Sequence, residues 1–133
     1  MIETLSFHHL GVACRDLERE ERAYAALGYA REGVEFDDAE HGIRGLFLTG
    51  PGPRLELLVD RPGEHVIEPW LTKGIAMYHL AFEVSDLETA LASRLENGAK
   101  LVVRPSPTVA FAGRHVAFVM LRNLTLVELI SRV

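Results

Sequence analysis

YHLAFEVSDLE, residues 78–88, repeats a pattern already set out by HHLGVACRDLE, residues 8–18. His79 answers His9, Leu80 answers Leu10, and Asp86-Leu87-Glu88 answers Asp16-Leu17-Glu18. Each histidine stands seven residues before its aspartate, and Gly28 and Gly98 each fall nineteen beyond their histidine. Further along, LELL (55–58) matches VELI (127–130), so Glu56 lies 47 residues past His9 and Glu128 lies 49 past His79. An offset near 70, held across landmarks this far apart, marks an internal duplication and not chance apolar similarity.

Each copy reads as a small α+β unit. In the first, residues 7–14 alternate like a strand, and Asp16 caps a helix running to about Leu27 before Gly28 ends it. Residues 32–36, 43–49 and 55–59 follow as strands, the last two separated by TGPGPR. The second copy offers strand 78–84 and helix 86–97, opened by a Ser85-x-x-Glu88 capping box, with Leu87, Ala90, Leu91 and Leu95 on one apolar face. Strands near 100–104, 114–120 and 124–130 complete it. The expected fold is therefore α+β, tandem βαβββ modules in one domain, 1–133. Its modules are 1–62 and 75–133. The linker, 63–74, can hold a short helix within VIEPWLTKG.

Strand parity sorts the side chains. Alternate residues of a strand share a face, so His9 lies with Gly11 and Ala13, and His79 with Ala81. Leu10, Val12, Leu80, Phe82 and Val84 point the other way, under the helices. Glu56 is likewise opposed to Leu55 and Leu57, and Glu128 to Val127 and Leu129. One face carries bulky apolar groups; the other sets His and Glu beside small residues, as in a hollow lined with polar groups.

Composition narrows the partners. With 48% apolar and 25% charged residues, the chain can build one compact core. A net charge of -5 without a Lys/Arg cluster argues against nucleic acid or an anionic membrane as a partner. No apolar run reaches membrane-spanning length, MIETLSFHH lacks the parts of a signal peptide, and the lone Cys14 cannot form an internal disulfide. These features lead to the expectation of a soluble cytoplasmic protein acting on a small molecule.

If the duplicated units pair symmetrically, His9, Glu56, His79 and Glu128 converge. Two carboxylates in a partly buried hollow repel each other and lose hydration. A His–Glu hydrogen-bonded network across the strands is one way to hold them. A divalent cation is the other, and the doubled pattern favours it: two imidazoles and two carboxylates suit Co, Ni, Mn, Fe or Zn. Four ligands in an octahedral site would leave two positions for water or substrate.

The motifs carry a resemblance over nearly the whole chain to the vicinal oxygen chelate superfamily, which includes glyoxalase I, extradiol dioxygenases, methylmalonyl-CoA epimerase and antibiotic-resistance proteins. Within it the chain looks most like the methylmalonyl-CoA epimerase family. HHLGVACRDLE, LELL, YHLAFEV and LVEL put His9, Glu56, His79 and Glu128 at that family's four metal-ligand positions, and AGRHVAF (112–118) is similar to its Gly-Arg/Lys-hydrophobic-Ala-Phe segment. AEHGIRGLFL (39–48) resembles the segment whose Glu is a proposed base, which puts Glu40 in that role. Read from the residues alone, Glu40 is equally a solvated loop acid beside Glu35, Asp37 and Asp38. The resemblance implies an isomerase that abstracts an α-proton and stabilises the enediolate with its metal. The resemblance further implies that the modules form a curved mixed sheet, that Glu128 returns the proton, that the substrate is a small molecule such as a CoA thioester, and that the assembly is a homodimer. The chain departs from the family after Phe118, where VMLRNLTLVEL stands in place of a longer His-Pro loop.

Two other functions fit the same superfamily. One is a lactoylglutathione lyase-like metalloenzyme on another small substrate. The other is a non-catalytic protein that sequesters an antibiotic; such members use aromatic walls, whereas aromatics here are 8% and all four ligand positions are filled. Among the remaining histidines, His8 reads as an edge or helix-side residue, His41 and His65 as exposed, and His115 shares parity with Ala117 and Val119.

Overall fold

Alternating strands and aspartate-capped helices produce the anticipated order. The computed structural model describes residues 4–132 and runs β1 (Leu5–Ala13), α1 (Leu17–Ala25), β2 (Ala30–Asp38), β3 (Ile43–Thr49), β4 (Leu55–Asp60), α2 (Glu68–Thr72), β5 (Met77–Val84), α3 (Leu87–Glu96), β6 (Lys100–Pro107), β7 (His115–Met120) and β8 (Leu126–Ser131). A 3-10 turn, Val109–Phe111, joins β6 to β7. By packing, the chain divides into two units. One is His9–Tyr78; the other is His79 onward with the residues before His9.

In the first unit the strand order is β2-β3-β4-β1. β1 and β4 are parallel, and the other neighbours are antiparallel. Val12, Leu46, Leu48, Leu55 and Leu57 form its core with Leu17 of α1, and Tyr24 and Tyr29 pack against them. On the opposite face Ala13 and Leu58 pack with Ile67, Trp70 and Leu71 from the segment around α2. The linker helix therefore closes one end of the face on which His9 and Glu56 lie. Asp60 starts that helix, accepting the backbone N–H groups of Val66, Ile67 and Glu68 at 2.8, 2.8 and 3.0 Å.

The second unit repeats the plan in the order β5-β8-β7-β6, with β5 and β8 parallel. Val84, Ala90, Val119, Val127 and Leu129 form its core, with Leu87 and Leu91 of α3 packed on it. Leu95, expected on the same face, is 40% exposed. It lies three residues before Gly98, in the last turn of α3.

The helix ends are copies of one another. Asp16 accepts the Arg19 backbone N–H at 3.1 Å and Asp86 accepts that of Thr89 at 3.3 Å, both from extended backbone. The cap of α3 is thus Asp86, not the Ser85–Glu88 box. Asp86 is the duplicate of Asp16, and its carboxylate meets the N3 amide that a serine one residue earlier cannot reach. Both helices close through the same reverse turn, Tyr29 N–H to the Tyr24 carbonyl at 3.2 Å and Ala99 N–H to Arg94 at 3.0 Å. That turn needs positive φ at Gly28 (99°) and Gly98 (93°). It also ends α1 at Ala25, short of Leu27.

β2 and β6 are longer than the expected 32–36 and 100–104. Both carry register shifts, between Glu32 and Phe36 in β2 and across Leu101, Val103 and Ser106 in β6. Bulges interrupt the period-two pattern on which sequence recognition depends. Pro105 is tolerated inside β6 because that strand is outermost in its unit's order.

Candidate functional site

Parallel pairing of the first and last strand of each module brings histidine and glutamate together. Gly11, two residues beyond His9, is the register partner of Glu56. Ala81, two beyond His79, is the partner of Glu128. The result is the same pair twice. His9 Nε2 lies 3.0 Å from Glu56 Oε1, and His79 Nε2 lies 3.3 Å from Glu128 Oε1. In both pairs the imidazole is 0% exposed and the carboxylate 5%. The residues opposite them are glycine and alanine, which leaves room above the strand for polar groups.

Sequence reading overlooked one further repeat. Phe47 is the register partner of Glu56, and Phe118 of Glu128. Phe47 meets the His9 ring edge-on at 5.4 Å, and Phe118 meets His79 at 5.3 Å. The rings hold the imidazoles in place and shield them from water, and desolvation raises the cost of leaving a nearby carboxylate uncompensated. The signal was available, since Phe47 lies 38 residues past His9 and Phe118 lies 39 past His79. Gly45 belongs to the same wall. A Cβ there would come within 2.3 Å of the Phe36 ring and 2.9 Å of the Leu57 carbonyl, so only glycine lets Phe36 sit where it does, tilted at 36° beside Phe47.

Glu83 continues the His79 face but is engaged elsewhere. Arg114 reaches its carboxylate at 2.6 Å and donates to the Ser131 carbonyl at 2.6 Å. That hydrogen bond, with help from the charges of Arg114, His8 and Arg132, holds the Glu83 carboxyl below its ordinary range. His115 does not reach the His79 face. It shares its strand face with Ala117 and Val119, on the helix side, and is exposed. His8 is half-buried against Phe111, and His65 is exposed.

Glu40 lies outside both pairs, exposed in the turn between β2 and β3. Asp37 is exposed, as a run of acids suggests, but Asp38 is not. Asp38 is 3% exposed, and its carboxylate accepts the His41 backbone N–H at 3.1 Å and meets His41 Nδ1 at 2.8 Å. His41 is accordingly half-buried.

Two βαβββ modules, each with a buried imidazole–carboxylate pair, define a recognisable class. The profile of the Glyoxalase/Bleomycin resistance protein/Dioxygenase superfamily matches residues 8–118, and the chain belongs to that superfamily. Among named relatives it is 29% identical over 113 residues to the ethylmalonyl-CoA/methylmalonyl-CoA epimerase of Cereibacter sphaeroides, covering 84% of each chain. The crystal structure of methylmalonyl-CoA epimerase from Mycobacterium tuberculosis superposes with a TM-score of 0.80 at 26% identity, over 96% of this chain and 87% of that one. A variant of the Streptomyces coelicolor methylmalonyl-CoA epimerase, solved with 2-nitronate-propionyl-CoA, gives 0.77 at 25% identity, over 95% and 93%. The tandem-module α+β fold expected from the duplicated sequence is therefore the fold of this superfamily.

Proposed function

We propose that this protein is a metal-dependent epimerase that inverts the α-carbon of a CoA thioester of the methylmalonyl type, with His9, Glu56, His79 and Glu128 holding one divalent ion. One observation carries the reading: a buried imidazole nitrogen set against a carboxylate oxygen, once in each module, at 3.0 and 3.3 Å. Neighbouring ligand atoms about 2.1 Å from a common ion stand about 3.0 to 3.4 Å apart in octahedral or tetrahedral geometry, so each pair has the spacing of two adjacent ligands. Among the described residues these four are the His, Cys, Asp and Glu side chains suited to hold an ion, and all are buried. The mixed nitrogen and oxygen donors suit Co, Ni, Mn, Fe or Zn. The named relatives that act on acyl-CoA thioesters support the substrate class.

The chemistry asks for more than a base. The α-proton of a thioester is less acidic than a carboxylic acid by more than about 10 pKa units, upward of roughly 14 kcal/mol. Held by His9, Glu56, His79 and Glu128, a divalent ion would supply Lewis-acid stabilisation of the negative charge that develops on the substrate oxygens. Glu40 removes the proton from one face, and Glu128 returns one to the other. The aromatic edges of Phe47 and Phe118 keep the two imidazoles oriented and limit water around them.

Elemental analysis of the purified protein, followed by deuterium incorporation at the α-carbon of each methylmalonyl-CoA epimer in heavy water, tests this reading. Bound metal with exchange from both epimers is the expected result. Metal without exchange moves the protein to another substrate of the superfamily, and the absence of both points to a ligand-binding protein. Glu40→Gln is expected to abolish exchange from one epimer; a variant that exchanges both at the wild-type rate removes Glu40 from the mechanism.

A further inference from the structure

We infer that Asp38 and His41 are positioning residues, forming a clasp that holds Glu40 at its reacting geometry. The inference rests on the reading of Glu40 as base. β2 ends at Asp38, and residues 39–42 turn the chain back into β3, with Glu40 second in the turn. The Gly42 N–H bonds to the Ala39 carbonyl at 3.3 Å, and the Gly42 carbonyl accepts the Arg61 N–H at 3.0 Å, which ties the turn to the residue after β4. Asp38 grips His41 twice, at the backbone N–H and at Nδ1. A carboxylate can only accept, so Nδ1 carries the ring proton and the imidazole is fixed in one tautomer and one orientation. The residues on both sides of Glu40 are thereby fixed, and Glu40 itself is exposed and open to a substrate.

The duplication supplies an internal control. At the offset of 70, Asp38, Glu40 and His41 become Thr108, Ala110 and Phe111. The second module closes the equivalent turn with the Thr108 hydroxyl, which accepts the Ala110 N–H at 3.3 Å, and with a 3-10 turn. A neutral hydroxyl thus suffices to reverse the chain between these strands. The buried carboxylate and its imidazole occur only in the module that carries the acid, and all three side chains are replaced together in the other. A carboxylate placed this deep is costly unless it is satisfied, and reversing the chain does not require it. Holding a base does: a displacement of about 1 Å can cost about 100-fold in rate.

The test measures α-deuterium incorporation separately for the two epimers, using the metal-loaded protein. Glu40→Gln identifies the epimer whose proton Glu40 removes. His41→Ala is expected to slow exchange from that epimer by about 30- to 100-fold while leaving the other within about threefold and KM nearly unchanged. His41→Asn, whose amide can donate to Asp38 from nearly the same place, is expected to recover most of the loss. Asp38→Asn, which weakens the ring contact but can keep the backbone one, carries the same one-sided expectation if His41→Ala fails to fold. Equal slowing of both epimers, or no recovery in His41→Asn, overturns the clasp and leaves the epimerase reading standing. Wild-type protein that exchanges neither epimer overturns both, and Glu40→Gln without effect overturns the clasp together with the base assignment.

Discussion

At the scale of single residues, burial decides which groups are chemically active. Cys14 is 4% exposed, and its thiol points to the Leu58 carbonyl at 3.5 Å. Burial first, and the charge of Glu20 second, push its pKa up to about 12. A thiol whose folded pKa is raised keeps its proton, so its contribution to stability is full below about 9, the unfolded value, and declines as pH rises towards about 12. Alkylation requires the thiolate. At pH 8 iodoacetamide is therefore expected to label urea-unfolded protein readily, and native protein about three orders of magnitude more slowly. Intact-mass spectrometry over time gives both rates; comparable rates in the two states would show that Cys14 is accessible. The same scale exposes a blind spot of sequence. Asp38 sits in a run of acids and reads as solvated, yet it is buried and satisfied by a histidine three residues on. Asp38 shares the face of Phe36, but the expected strand stops at residue 36, so strand parity does not extend to separate it from Asp37.

At the scale of elements, the duplicated landmarks carried most of the fold. Strands 43–49, 55–59 and 78–84, and both helices, were legible because alternation and terminal glycines agreed with one another and with the second copy, whereas the Ser85–Glu88 box hid Asp86 as the cap of α3. The lengths of β2 and β6 were not legible, since bulges cancel the periodicity, and nor was the 3-10 turn, which has no repeat to reveal it. The histidine–glutamate spacing was legible as a pattern. What sequence did not give was the strand partner, whose register sets Glu56 beside the residue two past His9. One prediction belongs here. Asp60 alone satisfies three amides at the start of the linker helix, a helix of five residues too short to hold itself. Asp60→Ala is expected to cost about 1–3 kcal/mol in urea unfolding, the scale of losing hydrogen bonds to a charged acceptor. Asp60→Asn, which keeps an acceptor oxygen, is expected to cost less. Equal losses for the two variants would mean that charge, and not the bonds, holds the segment.

At the scale of the whole molecule, the proposal turns on whether two modules share one ion. Each contributes an equivalent half: one imidazole, one carboxylate and one phenyl ring against the imidazole. Two independent half-sites and one shared site make opposite predictions. With independent pairs, each chain would take up two weakly held ions, and removing one histidine would leave the other module's ion in place. With a shared site, uptake is one ion per chain, and either His9→Ala or His79→Ala abolishes it. Binding to the folded state alone stabilises by about 2.7 kcal/mol at a metal concentration 100 times the dissociation constant. The wild-type melting temperature is therefore expected to rise by roughly 10 °C on adding cobalt or manganese to chelator-stripped protein. Both alanine variants are expected to lose nearly all of that rise. Imidazole and carboxylate bind a cation only when deprotonated, so the rise is expected to be larger at about pH 8 than at about pH 5, where protons compete for the ligand atoms. Calorimetric melting with and without metal, at both pH values and on all three proteins, makes the comparison. A variant that retains half the wild-type stabilisation would show that the duplicated pairs act separately, and the chelation on which the epimerisation chemistry depends would then lack its second pair of ligands.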